Sequence, residues 1–152
     1  MNDLDITIFR FPNVIGSHLT HGVIFDFIKK LQKNPKSLKI LGDGTQSKSY
    51  IYVHDLIDVI FLIALNGDKG INIYNVGGNG STSVREIADM VCAKLGLKDV
   101  SYIYSDGDRG WKGDIPTFQF NLSRIHRCGW TAKHTSNQAV QATLDDVLLG
   151  NR

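Results

Sequence analysis

A glycine-rich segment at residues 107–113 has the Gly-x-x-Gly-x-x-Gly spacing of a loop that could bind a dinucleotide. Such a loop binds pyrophosphate where small residues separate the glycines and a helix opens at once, so that backbone N–H groups meet the anion. Here the bulky Trp111 stands between the glycines, and Asp114-Ile115-Pro116 follows, which disfavours a helix. We therefore predict a loop on the substrate side of a site and not a cofactor loop.

The other candidate binding groups have simpler structural explanations. Residues 77–80, Gly-Gly-Asn-Gly, precede a predicted helix without a Walker lysine, so a turn and a helix cap are expected there. His126 and Cys128 are too close in the chain for a metal site, and none is predicted. Cys92 and Cys128 are expected to be reduced, buried thiols.

The elements that must position any site alternate along the chain. Residues 38–56 predict a strand, a tight Gly-Asp-Gly turn, a second strand and the start of a helix capped at His54-Asp55. Apolar residues at helical spacing predict further helix at residues 22–34, 56–65, 84–95 and 139–148. The helix at 56–65 is apolar almost all round, so we expect it to be buried on more than one side.

Length and charge exclude several classes of function. The chain has 152 residues, which predicts one domain with a real core, and its net charge is only +2. Lysines and arginines are scattered, so neither a nucleic acid nor a membrane surface is an expected partner. No segment has the pattern of a secretory leader or the length of a membrane span, and the expected location is the cytoplasm.

Residues 42–56 resemble the extended short-chain dehydrogenase/reductase family, which includes NAD-dependent nucleotide-sugar epimerases and dehydratases such as UDP-glucose 4-epimerase. In that family the segment reads Gly-Asp-Gly-x-Gln-x-Arg-Asp, then an aromatic-Ile-aromatic-Val strand and an aspartate. Lys48 stands where the family usually has arginine, and Ser49 where it has aspartate. Residues 10–16, Arg-Phe-Pro-Asn-Val-Ile-Gly, and residues 74–77, Tyr-Asn-Val-Gly, resemble two further signatures of the family.

The resemblance implies an α/β fold that begins in the middle of a family subunit. Residues 1–16 would be a remnant strand and loop of the NAD-binding Rossmann domain, and residues 17–152 a nucleotide-sugar-binding domain with short strands and about five helices. None of the five tyrosines has a lysine four residues later, so the family's catalytic Tyr-x-x-x-Lys pair is absent. NAD is the cofactor of the full-length family, and this chain alone is expected neither to bind it nor to be active.

The resemblance also assigns residues to a nucleoside diphosphate sugar, whose two negative charges must meet cations and N–H groups. Lys48 matches the arginine that clamps the diphosphate; its simpler explanation is an exposed lysine on a hairpin. Asp114 matches the aspartate of an Arg-x-Gly-Asp motif in which Trp111 occupies the arginine position. Arg109 could reach the same phosphate instead. Trp111 would either stack on a base or sugar or pack in the core.

Four more positions come from the same comparison. Asn13 matches an asparagine that hydrogen-bonds the substrate near its diphosphate, although an asparagine after a strand also suits an ordinary turn. Gly22 and Val23 match a helix start whose backbone approaches the substrate. Pro12 matches a residue whose backbone lies by the nicotinamide of the cofactor.

Two interpretations remain open for the chain as a whole. It is either half of an enzyme that docks with a separate NAD-binding half, or a non-catalytic module that binds nucleotide sugar or mediates assembly. In both, an apolar face around Ile6, Ile8 and Phe9 is expected to be exposed and to favour self-association.

Overall fold

The computed structural model describes residues 4–105 and 118–150. In these ranges the chain has five helices and eight short strands, so the predicted α/β class is confirmed. The helices are α1 (Val23–Lys33), α2 (Val53–Asn66), α3 (Val84–Lys94), α4 (Ser123–Arg127) and α5 (Ser136–Leu149). The strands are β1 (Ile6–Arg10), β2 (Asn13–Ile15), β3 (Ser37–Ile40), β4 (Ser47–Lys48), β5 (Tyr50–Tyr52), β6 (Ile71–Asn75), β7 (Thr82–Ser83) and β8 (Ser101–Tyr104).

The strands form four separate pairs. Three pairs are parallel, namely β1 with β6, β2 with β5 and β3 with β8, and the fourth, β4 with β7, is antiparallel. Parallel neighbours need long crossover connections, and each of the three crossovers here contains at least one helix. As a result, segments far apart in sequence are brought side by side, which is how the candidate site is assembled.

Two apolar clusters make up the core. The larger one lies among α1, α3, α5 and β3, and the smaller one joins α2, α4, β5 and β6 around Tyr74 and Trp130. Arg124 of α4 lies over Tyr74 of the second cluster. Its guanidinium is 4.4 Å from the ring centroid of Tyr74 and donates to the Ile73 carbonyl at 3.0 Å. Stacking on an aromatic face is a geometry that arginine favours.

The helices predicted from apolar periodicity are confirmed. Ser83 caps α3, and its hydroxyl accepts from the Glu86 N–H while the Glu86 carboxylate accepts from the Ser83 N–H, which is a capping box. Thr135 and Gln138 form a second capping box on α5. These helices begin where local hydrogen bonds satisfy their first N–H groups.

The order predicted for residues 38–56 is confirmed: β3, a glycine turn, strands β4 and β5, and the start of α2. Gly42 and Gly44 have positive φ values of 73° and 82°, as the Gly-Asp-Gly turn requires. However, β3 and β4 do not form a hairpin, because β3 pairs with β8 and β4 with β7. A turn of this type reverses the direction of the chain, but it does not determine which strands pair with each other.

Helix α2 differs from its prediction at its start and in its burial. Its N-cap is Tyr52, and Asp55 lies inside the first turn, where it is buried and accepts hydrogen bonds from the N–H and from Nδ1 of His134 at 3.0 Å each. Only one side of the helix is buried. The large apolar residues that are exposed on the other side are Ile57, Ile60, Phe61 and Leu65.

Two smaller expectations about burial were also wrong. Cys128 is exposed at the end of α4, whereas Cys92 is a buried free thiol as predicted. Phe9 packs against Tyr74 at a ring-centroid distance of 6.1 Å, so it does not belong to the open face of the β1–β6 pair. That face carries four isoleucines, which are Ile6, Ile8, Ile71 and Ile73, between 37% and 71% exposed.

Within residues 4–105 and 118–150, none of the helices has the length and apolar character needed to cross a membrane.

Candidate functional site

A cavity of about 520 Å³ lies between α1 and strands β2, β4 and β5. Four residues from the predicted substrate site line it: Asn13, Gly22, Val23 and Lys48. They come from three separate segments, and no local pattern requires them to meet. The structure thus brings together every predicted substrate residue that it describes.

The parallel pair of β2 and β5 positions Asn13. Asn13 opens β2 and lies opposite Tyr50 in the register of the pair, and both residues line the cavity. Tyr50 is buried, and its N–H donates to the Ser136 hydroxyl at 3.2 Å, which attaches β5 to the start of α5. The side of the cavity formed by β5 is therefore attached to the core through α5.

The N-terminus of α1 supplies backbone donors. Gly22 is its N-cap, with φ 92° and ψ 173°, and among the described residues no side chain caps the N–H groups of the first turn. A Cβ at Gly22 would meet nothing within 4 Å, so the positive φ, and not crowding, favours glycine there. Helix N-termini attract anions because these N–H groups and the helix dipole are both positive.

Residues 46–50 alternate between two clefts. Gln46, Lys48 and Tyr50 line the main cavity, whereas Ser47 and Ser49 line a second cleft of about 300 Å³ together with residues 77–81 and Phe118. This is the period of two expected for an extended chain. Sequence reasoning found Lys48 from its motif but missed Gln46 and Tyr50, although the same alternation places them on the side of Lys48.

Gln46 is a buried amide with an unusual environment. It is 4% exposed, and its Nε2 donates to the Leu41 carbonyl at 3.3 Å. Its Oε1 is the single buried side-chain nitrogen or oxygen in the described part of the chain that lacks a hydrogen-bond partner. Buried polar atoms are normally satisfied, so an unpaired acceptor in a cavity wall is a place where a ligand donor would be stabilising.

The turn that carries Leu41 and Gln46 is held by Asp43. Its carboxylate accepts from the N–H of Thr45 at 2.8 Å and from the Thr45 hydroxyl at 2.7 Å. These two donors, the hydroxyl first, lower the pKa of Asp43 because they favour the ionised carboxylate. The turn between β3 and β4 therefore keeps its shape at neutral pH through its own side chains.

The rest of the cavity wall is largely apolar. Apolar residues missed by sequence reasoning line it, among them Leu19, Ile24, Phe27, Leu41 and Val84. Among the described residues, the charged side chains in the wall are Asp26, Lys30 and Lys48, and Lys30 forms an ion pair with Asp26 at 2.7 Å. The described part of the wall thus combines an apolar surface with one acidic and two basic side chains.

Four predicted residues remain, which are Pro12, Arg109, Trp111 and Asp114. Arg109, Trp111 and Asp114 lie outside the described residues, so their assignments stay predictions. Pro12 does not line the cavity. It lies beside Gly77, since a Cβ added at Gly77 would be 3.8 Å from the Cδ atom of Pro12. The described residues contain no cluster of three or more histidine, cysteine or acidic side chains that could hold a metal ion.

The sequence model of the NAD dependent epimerase/dehydratase family matches residues 1–77 of this chain. The chain belongs to that family. Among curated relatives, a Methanocaldococcus jannaschii protein is 28% identical over 153 residues, which is 98% of this chain and 48% of the relative. Human dTDP-D-glucose 4,6-dehydratase is 28% identical over 145 residues, 92% of this chain and 41% of the relative. The chain spans about half the length of the curated relatives it matches.

Solved structures of epimerases share the fold. A crystal structure of UDP-galactose 4-epimerase has a TM-score of 0.80 and 31% identity, covering 95% of this chain and 45% of that one. Thermotoga maritima UDP-glucose 4-epimerase with UDP-glucose has a TM-score of 0.79 and 22% identity, covering 98% and 48%. At 22% identity the second likeness shows the fold alone. The short parallel strands and helices of this family member are therefore part of a Rossmann-like epimerase fold.

Proposed function

We propose that this chain is the nucleotide-sugar-binding part of an NAD-dependent sugar epimerase or dehydratase, and that the main cavity binds a nucleoside diphosphate sugar. The observation that carries the proposal is the meeting of Asn13, Gly22, Val23 and Lys48 around one cavity. Its volume of about 520 Å³ is that of an ordinary small-molecule site, roughly 300–1,000 Å³.

The diphosphate would lie between Lys48 and the start of α1. The uncapped first turn offers N–H donors, Lys48 offers an ammonium group, and the Asn13 amide offers a further donor. Lysine binds phosphate as a point charge and lacks the two-pronged geometry of arginine. Binding of the diphosphate by Lys48 is therefore expected to depend on charge more than on directed hydrogen bonds.

The base or sugar would lie against the apolar wall. Leu41, Phe27 and Val84 provide a surface for a flat ring, and Gln46 provides an acceptor that has no partner among residues 4–105 and 118–150. A ring N–H that reached Gln46 Oε1 would remove the cost of leaving that oxygen unpaired. This arrangement favours a base that carries an N–H donor, such as uracil or thymine.

Hydride and proton transfer would depend on another polypeptide segment. Pro12 is the single described residue that the family resemblance assigns to NAD, and one backbone position does not hold a dinucleotide. No tyrosine in the sequence is followed four residues later by lysine. The NAD site and the proton-transferring pair would come from a separate half, with residues 1–16 belonging to its Rossmann domain and residues 17–152 forming the nucleotide-sugar-binding domain. Because β1 pairs with β6, the sheet would continue across this boundary.

The surface for that half would be the open side of the β1–β6 pair. Parallel sheets are normally covered on both faces, and two strands alone are marginally stable. Here Ile6 and Ile8 lie in register with Ile71 and Ile73, and this face is exposed. The relatives are about twice as long as this chain, which favours an NAD-binding half as the occupant.

The test of the cavity is calorimetric titration of the purified chain with UDP, UDP-glucose and dTDP-glucose. Saturable binding that is weakened in Lys48→Ala supports the site, and the preferred base narrows the substrate. Absence of binding to all three ligands would contradict the proposal that the isolated chain holds them.

The partner is tested separately by mixing the chain with the NAD-binding half of a UDP-glucose 4-epimerase and measuring interconversion of UDP-glucose and UDP-galactose. Activity that appears on mixing and is lost in Ile8→Asp supports the enzyme interpretation. Ligand binding with no activity in any mixture would favour the non-catalytic module, which the missing Tyr-x-x-x-Lys pair also suits.

A further inference from the structure

Gln46 is hydrogen-bonded to two apolar residues of the cavity wall. Its backbone carbonyl accepts from the Val84 N–H at 2.9 Å, and its Nε2 donates to the Leu41 carbonyl at 3.3 Å. All three residues line the cavity. A flat ring that packs against Leu41 and Val84 would therefore have an edge beside the Gln46 amide.

The amide of Gln46 is held loosely and is incompletely paired. Because a carbonyl can only accept, the nitrogen and not the oxygen faces Leu41. This bond of 3.3 Å is longer than the usual value of about 2.9–3.0 Å, and the last side-chain torsion of a glutamine is soft. Within residues 4–105 and 118–150, Oε1 has no hydrogen-bond partner although it is closed to solvent. A small rotation of the amide would turn this oxygen towards the cavity.

The position of Gln46 relative to Lys48 suits a nucleotide. One residue of extended chain separates them, so their Cα atoms are about 7 Å apart while both side chains line the same cavity. This separation leaves room for a ribose between a base at Gln46 and a phosphate group at Lys48.

We propose that Gln46 is the residue that selects the base, and that its Oε1 accepts the ring N–H of uracil or thymine. The inference rests on the proposed function, since it assumes that a nucleotide occupies this cavity, and it adds which residue discriminates and against what. Cytosine carries an acceptor at the same ring position, so Oε1 would stay unpaired beside it. A site built to pair a polar group of its ligand rejects the analogue that lacks this group.

The experiment compares UDP with N-methyl-UDP, in which a methyl group replaces the hydrogen of the uracil ring N–H. Both are titrated calorimetrically into the wild type and into Gln46→Met, whose side chain keeps the length and flexibility of glutamine without a strong acceptor. We expect methylation to weaken binding to the wild type about 5- to 100-fold, since it leaves a buried acceptor unpaired. CDP should be weakened in the same way. In Gln46→Met, UDP and N-methyl-UDP should bind within about threefold of each other, because no hydrogen bond is lost.

Gln32→Met is the matched control, because Gln32 is exposed on α1 and does not line the cavity. It should keep the wild-type preference for UDP, and thermal melting of both variants checks that the fold is intact.

The outcomes separate this inference from the proposed function. If methylation weakened binding equally in the wild type and in Gln46→Met, its effect would be steric, and the inference alone would be overturned. Saturable binding of UDP and N-methyl-UDP with equal affinity in the wild type would also overturn the inference alone. No binding of UDP to the wild type would overturn both the inference and the proposed function.

Discussion

Replacing Lys48 with alanine is the most direct test of how the cavity holds its ligand. Lys48 is partly exposed, so an effective dielectric constant of about 20 applies, and a charge pair at roughly 4 Å is then worth about 4 kcal/mol before the costs of desolvation and ordering. Net values for hydrogen bonds to charged groups are about 1.5–3 kcal/mol. We therefore expect the Kd for UDP-glucose to rise about 10- to 100-fold in Lys48→Ala.

The arginine variant distinguishes charge from geometry. Lys48→Arg keeps the positive charge and adds a fork that can bind two phosphate oxygens, so binding should be at least as tight as in the wild type. If arginine weakened binding as much as alanine, the cavity would be too narrow at this position for the proposed diphosphate contact. Added salt of about 1 M should reduce the difference between wild type and Lys48→Ala, because a partly exposed charge pair is screened.

The control for these titrations is Lys39→Ala. Lys39 is exposed on β3 and does not line the cavity, so its removal changes the net charge equally while leaving the site intact. Its Kd should stay within about twofold of the wild type, because the charge of an exposed side chain that does not line the cavity is screened by solvent and salt. An unchanged Kd in Lys48→Ala, with saturable binding in the wild type, would refute the placement of the diphosphate beside Lys48.

Three further substitutions test how the scaffold is held together, each measured by urea unfolding. Ser136→Ala should cost about 1–3 kcal/mol, since it leaves the buried Tyr50 N–H without its acceptor; no loss would show that water replaces the hydroxyl. Ser83→Ala should cost about 1 kcal/mol through loss of the α3 cap, whereas retained stability would contradict the capping role. Tyr52→Phe should cost about 1 kcal/mol near neutral pH, because the Tyr52 hydroxyl donates to Asp146 at 2.7 Å. Asp146 raises the pKa of Tyr52 to about 12, so the advantage of the wild type over this variant should persist below about pH 10 and disappear as pH rises towards 12.

Much of the helical structure was predictable because its causes are local. The apolar spacing of residues 22–34 predicted α1, and that of residues 84–95 predicted α3. By contrast, the start of α2 depends on a distant residue, because Asp55 enters the helix while it accepts two hydrogen bonds from His134. Intrinsic capping preference alone favoured Asp55 as the cap, and the tertiary contact overrode it.

Residues of the candidate site were predictable from the sequence only where they belong to a family motif. Asn13 and Lys48 were found through signatures that have fixed positions in a family, and the structure places both in one cavity. Leu19, His21 and Val84 were not found, because each lies in a segment whose pattern describes only its own element. Cavities form between helices and strands, and the spacing of residues within one element does not indicate which other elements pack against it.

The sequence by itself determined the family and the type of most elements, since motif residues, helical periodicity and capping pairs are properties of short segments. Tertiary structure alone decided which strands pair, because turns such as the one at residues 42–44 permit several partners. It also decided that Gln46 and His21 share a cavity wall with Lys48. Strands that are distant in sequence pair because their apolar faces are buried together in the folded core. The free energy of this burial depends on the assembled core and cannot be assigned to any single segment.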